Sequence, residues 1–242
     1  DGIIADDNQQ HPMYDHGNST RMLCESYGML DERRQKLAHT AISKAVRLIL
    51  NAQAVRKSAE YQGGWRYQPG SPDSDISVTG WQLMALRGAA NIGANIPASA
   101  IEQGIEYIKK CATPSGGFRY AGGRVDAALT GTGILSLELL GQHHSKQALA
   151  GGDYLLTDGA RHPIFEWHFY TAYYCTQAAW QLGGRYWQAI NPPIRRALLQ
   201  EQLGDGSWQA KTNETQGGPA YATSMAILAL AVPYRYLPIY QK

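Results

Sequence analysis

Gly63-Gly64-Trp65-Arg66-Tyr67, leading into Asp75-Ile76-Ser77-Val78-Thr79-Gly80-Trp81-Gln82-Leu83-Met84-Ala85-Leu86, sets the architecture of this chain, because the pattern returns. Gly116-Gly117-Phe118-Arg119-Tyr120 leads in the same way into Asp126-Ala127-Ala128-Leu129-Thr130-Gly131-Thr132-Gly133-Ile134-Leu135-Ser136-Leu137, and Asp205-Gly206-Ser207-Trp208 precedes Tyr221 to Leu230. Trp65 and Phe118 are 53 residues apart and Phe118 and Trp208 are 90 apart, which leaves room for one eroded copy near Asp158-Gly159. A unit of roughly 45 to 50 residues accommodates two helices and their connections, so the chain reads as a repeat protein.

The runs after each motif pass a threonine and are then small and apolar on nearly every face, the mark of helices buried all round. His168 to Leu182 is a further such run, and Tyr14 to Cys24 is a weaker one standing first. Between them lie segments with one apolar face. In Asp31 to Gln53 the apolar series is Leu37, Ala41, Ala45 and Leu48 with Ile42, Val46 and Ile49 beside it, while Lys36, Lys44 and Arg47 take the other side. Ser99 to Lys110 repeats this with Ile101, Ile105 and Ile108, and Ser145 to Leu156 does so with an interruption at Gly151-Gly152. A start signal at Asn191 before Pro192 opens another.

Five buried and four one-faced helices in alternation predict an all-α α/α toroid, with the buried set inside and the amphipathic set outside. An open solenoid of helix pairs is the rival architecture, although its inner helices need not be apolar on all sides. The aromatic and threonine density of Ile164 to Cys175 favours a strand, and only the repeat alignment makes it helical.

Twenty-two basic residues against 20 acidic ones give a net charge of +2, and the arginines are scattered, so nucleic acid is not an expected partner. The longest strongly apolar stretch, Met225 to Val232, is too short to span a bilayer. Cys24, Cys111 and Cys175 form no Cys-x-x-Cys pair and read as buried thiols. Asn18-Ser19-Thr20 and Asn213-Glu214-Thr215 match a glycosylation pattern that is common by chance. The first buried run has no amphipathic partner ahead of it, which leads to the expectation that residues 1–242 form a single domain, the C-terminal part of a longer polypeptide whose upstream portion is its partner.

Gln202-Leu203-Gly204-Asp205-Gly206-Ser207-Trp208 meets a Gln-x-x-x-Gly-x-Trp core, with Leu198 also in place. In this it resembles the repeat shared by squalene and oxidosqualene cyclases and the β subunits of protein prenyltransferases. The other copies keep the glycine and aromatic but carry Ala59 and Ala112 where the glutamine belongs. Bacterial repeat proteins, many of them planctomycete, offer a further likeness through Gly-Gly-Trp-Arg-Tyr and the helix that follows it. The resemblance implies that these motifs are structural, the glutamine and tryptophan tying a loop to a helix end.

It also implies where chemistry would sit. The cyclases protonate a polyene through Asp-x-Asp-Asp, and the corresponding stretch here is Asp73-Ser74-Asp75-Ile76, with the last aspartate missing. Asp75 is the expected acid and Asp73 its partner, unless either simply caps a helix. The prenyltransferases' Asp-x-Cys zinc pair and the Gly-Cys-Gly-Glu-Gln motif of thioester domains are both absent. A zinc set of His16, Asp126, His168 and Cys175 competes with the plainer reading of histidines in a core, so no metal and no cofactor is expected.

The expected function is binding of an apolar, isoprenoid small molecule in a central cavity walled by Trp81, Asp126, Trp167, His168, Tyr170 and Tyr174. Catalysis is in doubt because the acid motif is incomplete. Two other classes stay open. One is a non-catalytic interaction or scaffold module. The other is a carbohydrate-active toroid using acids at the helix starts, Asp15, Asp75, Asp126 and Glu166, with aromatics for stacking on sugars.

Overall fold

The computed structural model describes residues 2–6, 10–121, 123–159 and 168–234, and these fall into two compact units, one up to Cys111 and one from Ala112. Among the described residues, nine α-helices and short 3-10 turns make up most of the regular structure, and strand pairing is confined to isolated bridges such as Trp65 with Asp75 and Ala112 with Phe118.

The first unit holds α1 (Pro12–Ser26), α2 (Glu32–Ala54), α3 (Ile76–Asn91) and α4 (Ala98–Lys110). Helix α3 packs most extensively on α1 and exposes only Arg87, Ala90 and Asn91. Helices α2 and α4 are one-faced. The buried stripe of α2 runs through Ala38, Ile42, Ala45 and Ile49, while Leu37 is 65% exposed. A helical period fits either stripe, and packing on α1 and α3 selects the one beside the leucine.

The second unit holds α5 (Ala127–Leu139), α6 (Lys146–Tyr154), α7 (His168–Leu182), α8 (Gly184–Glu201) and α9 (Gly218–Leu230). Helix α7 lies against α5, α8 and α9 and is buried apart from Tyr170 and Trp180. From His168 onward the segment with strand-like composition is helical, with Phe169, Tyr173 and Tyr174 fully enclosed by the neighbouring helices. The glycine pair of α6 permits close packing: a Cβ on Gly151 would stand 2.9 Å from Ile134 Cγ1, and one on Gly152 would stand 2.6 Å from Tyr186 Cε1. Helix α8 begins at Gly184, well before Asn191, with Pro192 and Pro193 inside it. The missing proline amides cost a helix interior heavily. The turn ahead of them is nonetheless held by Tyr186, which is buried, and by Trp187 set edge-on to Trp180 at 4.9 Å.

The repeated motif is a joint with the same hydrogen bonds in each copy. Threonine from the following helix accepts the aromatic residue's backbone amide: Trp65 N to Thr79 Oγ1, Phe118 N to Thr130 Oγ1 and Trp208 N to Thr223 Oγ1, each 3.0 Å. The indoles of Trp65 and Trp208 donate to the preceding amphipathic helix, at Ile49 O and Leu198 O, each 2.7 Å. They are 1% and 2% exposed. Gly63 and Gly116 have φ of +94° and +93°, and a Cβ at either would stand 2.2 Å from Gln103 O or 2.5 Å from Ala150 O. Gln202 donates to Gly206 O at 3.0 Å, as its motif implies. In the first copy, which lacks that glutamine, Gln53 supplies the tie from within α2, donating to Gly63 O at 2.8 Å and Ala100 O at 2.9 Å.

Candidate functional site

Each of the first two motifs delivers an acid to the start of a buried helix. Asp75 has an extended backbone and caps α3, its Oδ1 accepting the Val78 amide at 2.9 Å. It is 0% exposed. Its Oδ2 lies 3.5 Å from Arg66 Nε, and Arg66 Nη1 donates to Asp73 Oδ2 at 2.9 Å. One guanidinium therefore bridges both predicted acidic residues. Burial pushes the Asp75 carboxyl up to about 6, against the opposing pull of the Val78 amide and of Arg66. Arg66 also stacks over Tyr67 at 4.7 Å, and His11 approaches that ring at 4.0 Å. The Tyr107 phenol, raised chiefly by burial, also feels the charges of Cys111 and Asp75.

Trp81, in the same unit, is buried with the Arg21 guanidinium 5.7 Å from its ring. It is a core residue of the α1–α3 contact.

In the second unit Asp126 repeats the arrangement of Asp75. It caps α5 through the Leu129 amide at 2.8 Å and pairs with Arg124 Nη2 at 3.0 Å, but it keeps partial exposure. The Cys175 thiol donates to Ala127 O at 3.4 Å, and burial together with the Asp126 charge pushes it upward, so it is an inert thiol. His168 is buried at the start of α7, with Nε2 2.7 Å from Glu201 Oε2, and Lys211 Nζ lies 2.9 Å from the other oxygen. Tyr170 and Tyr174 meet at 4.7 Å, Tyr174 buried and Tyr170 half-buried. Trp167 and Glu166 lie outside the described residues.

Sequence reasoning missed Arg66, Glu201 and Glu214. Arg66 stands in the quoted motif, where its charge next to two acids was a usable signal. Glu214 had none. Its buried carboxylate accepts the Phe169 amide at 2.9 Å and the Tyr170 amide at 2.8 Å, and Tyr221 donates to it at 3.0 Å. It thereby caps α7 from the 3-10 turn before α9.

Among the described residues no three His, Cys, Asp or Glu side chains cluster as metal ligands, and no helix is long and apolar enough to cross a membrane.

No family model and no curated protein matches the chain. Solved structures do. A type II terpene cyclase, MstE from Scytonema, in complex with geranylgeranyl dihydroxybenzoate, superposes with a TM-score of 0.62 at 17% identity, over 88% of this chain and 61% of that one. A GH76 α-1,6-mannanase of Salegentibacter sp., an inactive variant in complex with α-1,6-mannotriose, gives 0.62 at 14% identity over 90% and 75%. Candida albicans protein geranylgeranyltransferase-I complexed with GGPP gives 0.59 at 14% identity over 97% and 73%. This chain thus spans about three-fifths of the terpene cyclase's length. These likenesses, all at 17% identity or less, show that the chain shares the all-α fold of such α/α toroids.

Proposed function

We propose that this chain binds an apolar isoprenoid ligand and leaves it chemically unchanged, with Asp75 serving as a helix cap. The observation that carries the second half is the set of partners around Asp75, which is the Val78 amide on one oxygen and Arg66 beside the other. Both favour the ionised form. A carboxyl with a pKa of about 6 is about nine-tenths ionised at pH 7, and a donor to an alkene must hold its proton. The ligand class is supported by the fold, two of whose likenesses were solved with geranylgeranyl compounds. Of the expected wall residues, Tyr170 and Asp126 keep accessible surface and are the proposed ligand contacts in the second unit. Tyr174 packs against Tyr170 from the core of that unit, where His168 is buried as well. Trp81 is a core residue of the first unit.

The test is titration with geranylgeranyl diphosphate and with squalene, read by tryptophan fluorescence, followed by mass spectrometry of the extracted lipid. Saturable binding without cyclised product, unchanged in Asp75→Asn, is expected. Asp75-dependent product would overturn the non-catalytic reading, and no binding of either lipid would overturn the ligand class.

A second reading, glycoside hydrolysis, is favoured by two carboxylates bridged by one arginine beside Tyr67 and His11. Release of reducing sugar from α-1,6-mannan, lost in Asp75→Asn, would select it.

A further inference from the structure

A groove of about 560 Å³ lies between the last three turns of α2 and the Pro69-Gly70 corner, apart from the residues assigned to the isoprenoid ligand. Lys44, Arg47 and Asn51 line it at spacings of three and four, so they form one stripe of the helix, and all three are exposed. Leu48, Ala52 and Val55 form the adjacent stripe and, with Pro69, give it an apolar floor.

Among the described residues no carboxylate lines the groove. At the start of α2 the cations are matched, Arg34 with Asp31 and Lys36 with Glu32. Among the described residues the Lys44 and Arg47 side chains have no such partner. The end of a helix ordinarily presents free carbonyls, whose partial negative charge repels an anion. Here Lys57 covers them, donating to Ala52 O at 2.9 Å, Gln53 O at 3.4 Å and Val55 O at 3.5 Å. The result is a half-apolar groove of positive potential, within the size range of small-molecule sites.

We propose that this groove binds a phosphate ester carried on an apolar body, with the phosphate on Lys44, Arg47 and the Asn51 amide, and the apolar part over Leu48, Val55 and Pro69. Two adjacent cations match a dianionic phosphomonoester better than a single carboxylate, and the Arg47 fork can take two phosphate oxygens. The groove involves neither Asp75 nor any buried helix, so its occupancy is independent of isoprenoid binding.

Calorimetric titration with octyl phosphate tests it, with inorganic phosphate and octyl glucoside as separate probes. Saturable binding of octyl phosphate is expected, at least about tenfold tighter than either half-probe, because each lacks one of the two surfaces. The double variant Lys44→Ala, Arg47→Ala should lose at least about tenfold in affinity at an unchanged melting temperature, since both side chains are exposed. A Cβ on Gly70 would meet nothing within 4 Å, and its φ is not left-handed, so Gly70→Phe should fill the groove and weaken octyl phosphate while sparing inorganic phosphate. Flotation with phosphatidate vesicles separates the sources: retention that depends on Lys44 and Arg47 identifies a lipid headgroup, and octyl phosphate binding without retention identifies a soluble ester. Absence of saturable binding, binding that survives the double variant, or equal affinity for octyl glucoside would overturn the proposal.

Discussion

Replacing the joint threonines by valine orphans one buried backbone amide at nearly constant shape. In Thr79→Val the buried Trp65 amide, 3.0 Å from Thr79 Oγ1, loses its acceptor and gains no water. An orphaned buried donor costs about 1 to 3 kcal/mol. Thr130→Val should cost the same or slightly more, because the second bond of Thr130 Oγ1, donated to Asp126 O, is 2.7 Å long, against 3.4 Å for the donation of Thr79 Oγ1 to Trp65 O. Thr223→Val should cost less, since its bond to Trp208 N is only part-buried. Thr132→Val is the control: Thr132 is equally buried, but its hydroxyl only donates to Ala128 O within its own helix, so no amide is orphaned. In urea, with a slope of about 2 kcal/mol/M, the joint variants should lower the midpoint by about 0.5 to 1.5 M and the control by much less. Circular dichroism and tryptophan fluorescence both report the transition. If Thr79→Val and Thr132→Val shift the midpoint equally, the joint bond contributes nothing beyond the lost hydroxyl and the structural role assigned to the motif is wrong.

Gly63→Ala and Gly116→Ala combine a left-handed φ with a backbone carbonyl inside contact distance, so each should destabilise by well over the roughly 1 kcal/mol of the φ strain alone. Gly93→Ala, with φ of +89° and open space, should show only that strain in the same denaturation series. His16 is buried, accepts the Ile4 amide on Nδ1 at 3.0 Å and has Nε2 3.2 Å from Ala45 O, and burial lowers its pKa below 6.5. The unfolded chain therefore takes up the proton first, and stability should fall as pH drops through 6.5. His16→Gln should flatten this part of a melting-temperature profile. Asp75 has the opposite sign: its folded pKa of about 6 lies above 3.8, so its burial is least costly below about 4 and most costly above about 6. Asp75→Asn should remove that slope and stay folded at pH 7. Glu214→Ala leaves two helix-start amides without an acceptor and should cost more than Glu214→Gln, which keeps one oxygen, by about 1 to 3 kcal/mol in urea titrations.

Burial on all faces and burial on one face leave different patterns, which made α3, α5 and α7 legible as buried helices against α2. Helix α9, read in the same way as buried all round, instead exposes Ser224 and Ile227, because its apolar composition exceeds the surface its neighbours cover among the described residues. Leu37 shows the limit, since neighbouring stripes of one helix satisfy the same period and only the packing partner distinguishes them. The prolines of α8 misled for a related reason: Asn191-Pro192 is a sound local start signal, and tertiary contacts from Tyr186 and Trp187 carried the helix past it. At the candidate site, Asp73 and Asp75 were visible through their spacing. Glu214 was not, because a cap supplied from 45 residues away leaves no trace at the helix it completes.

That distant cap bears on how the protein is made. The first turn of α7 leaves a ribosome with its amides unanswered, and Glu214 follows only after some 45 further residues. At about 5 to 20 residues per second the delay is about 2 to 9 s. During that interval the nascent helix is finished at its C-terminal end and open at its beginning, unlike α3 and α5, which carry their caps in Asp75 and Asp126 just ahead of them, and a ribosome stalled between Gly183 and Asn213 would hold a chain whose newest buried helix is still incomplete.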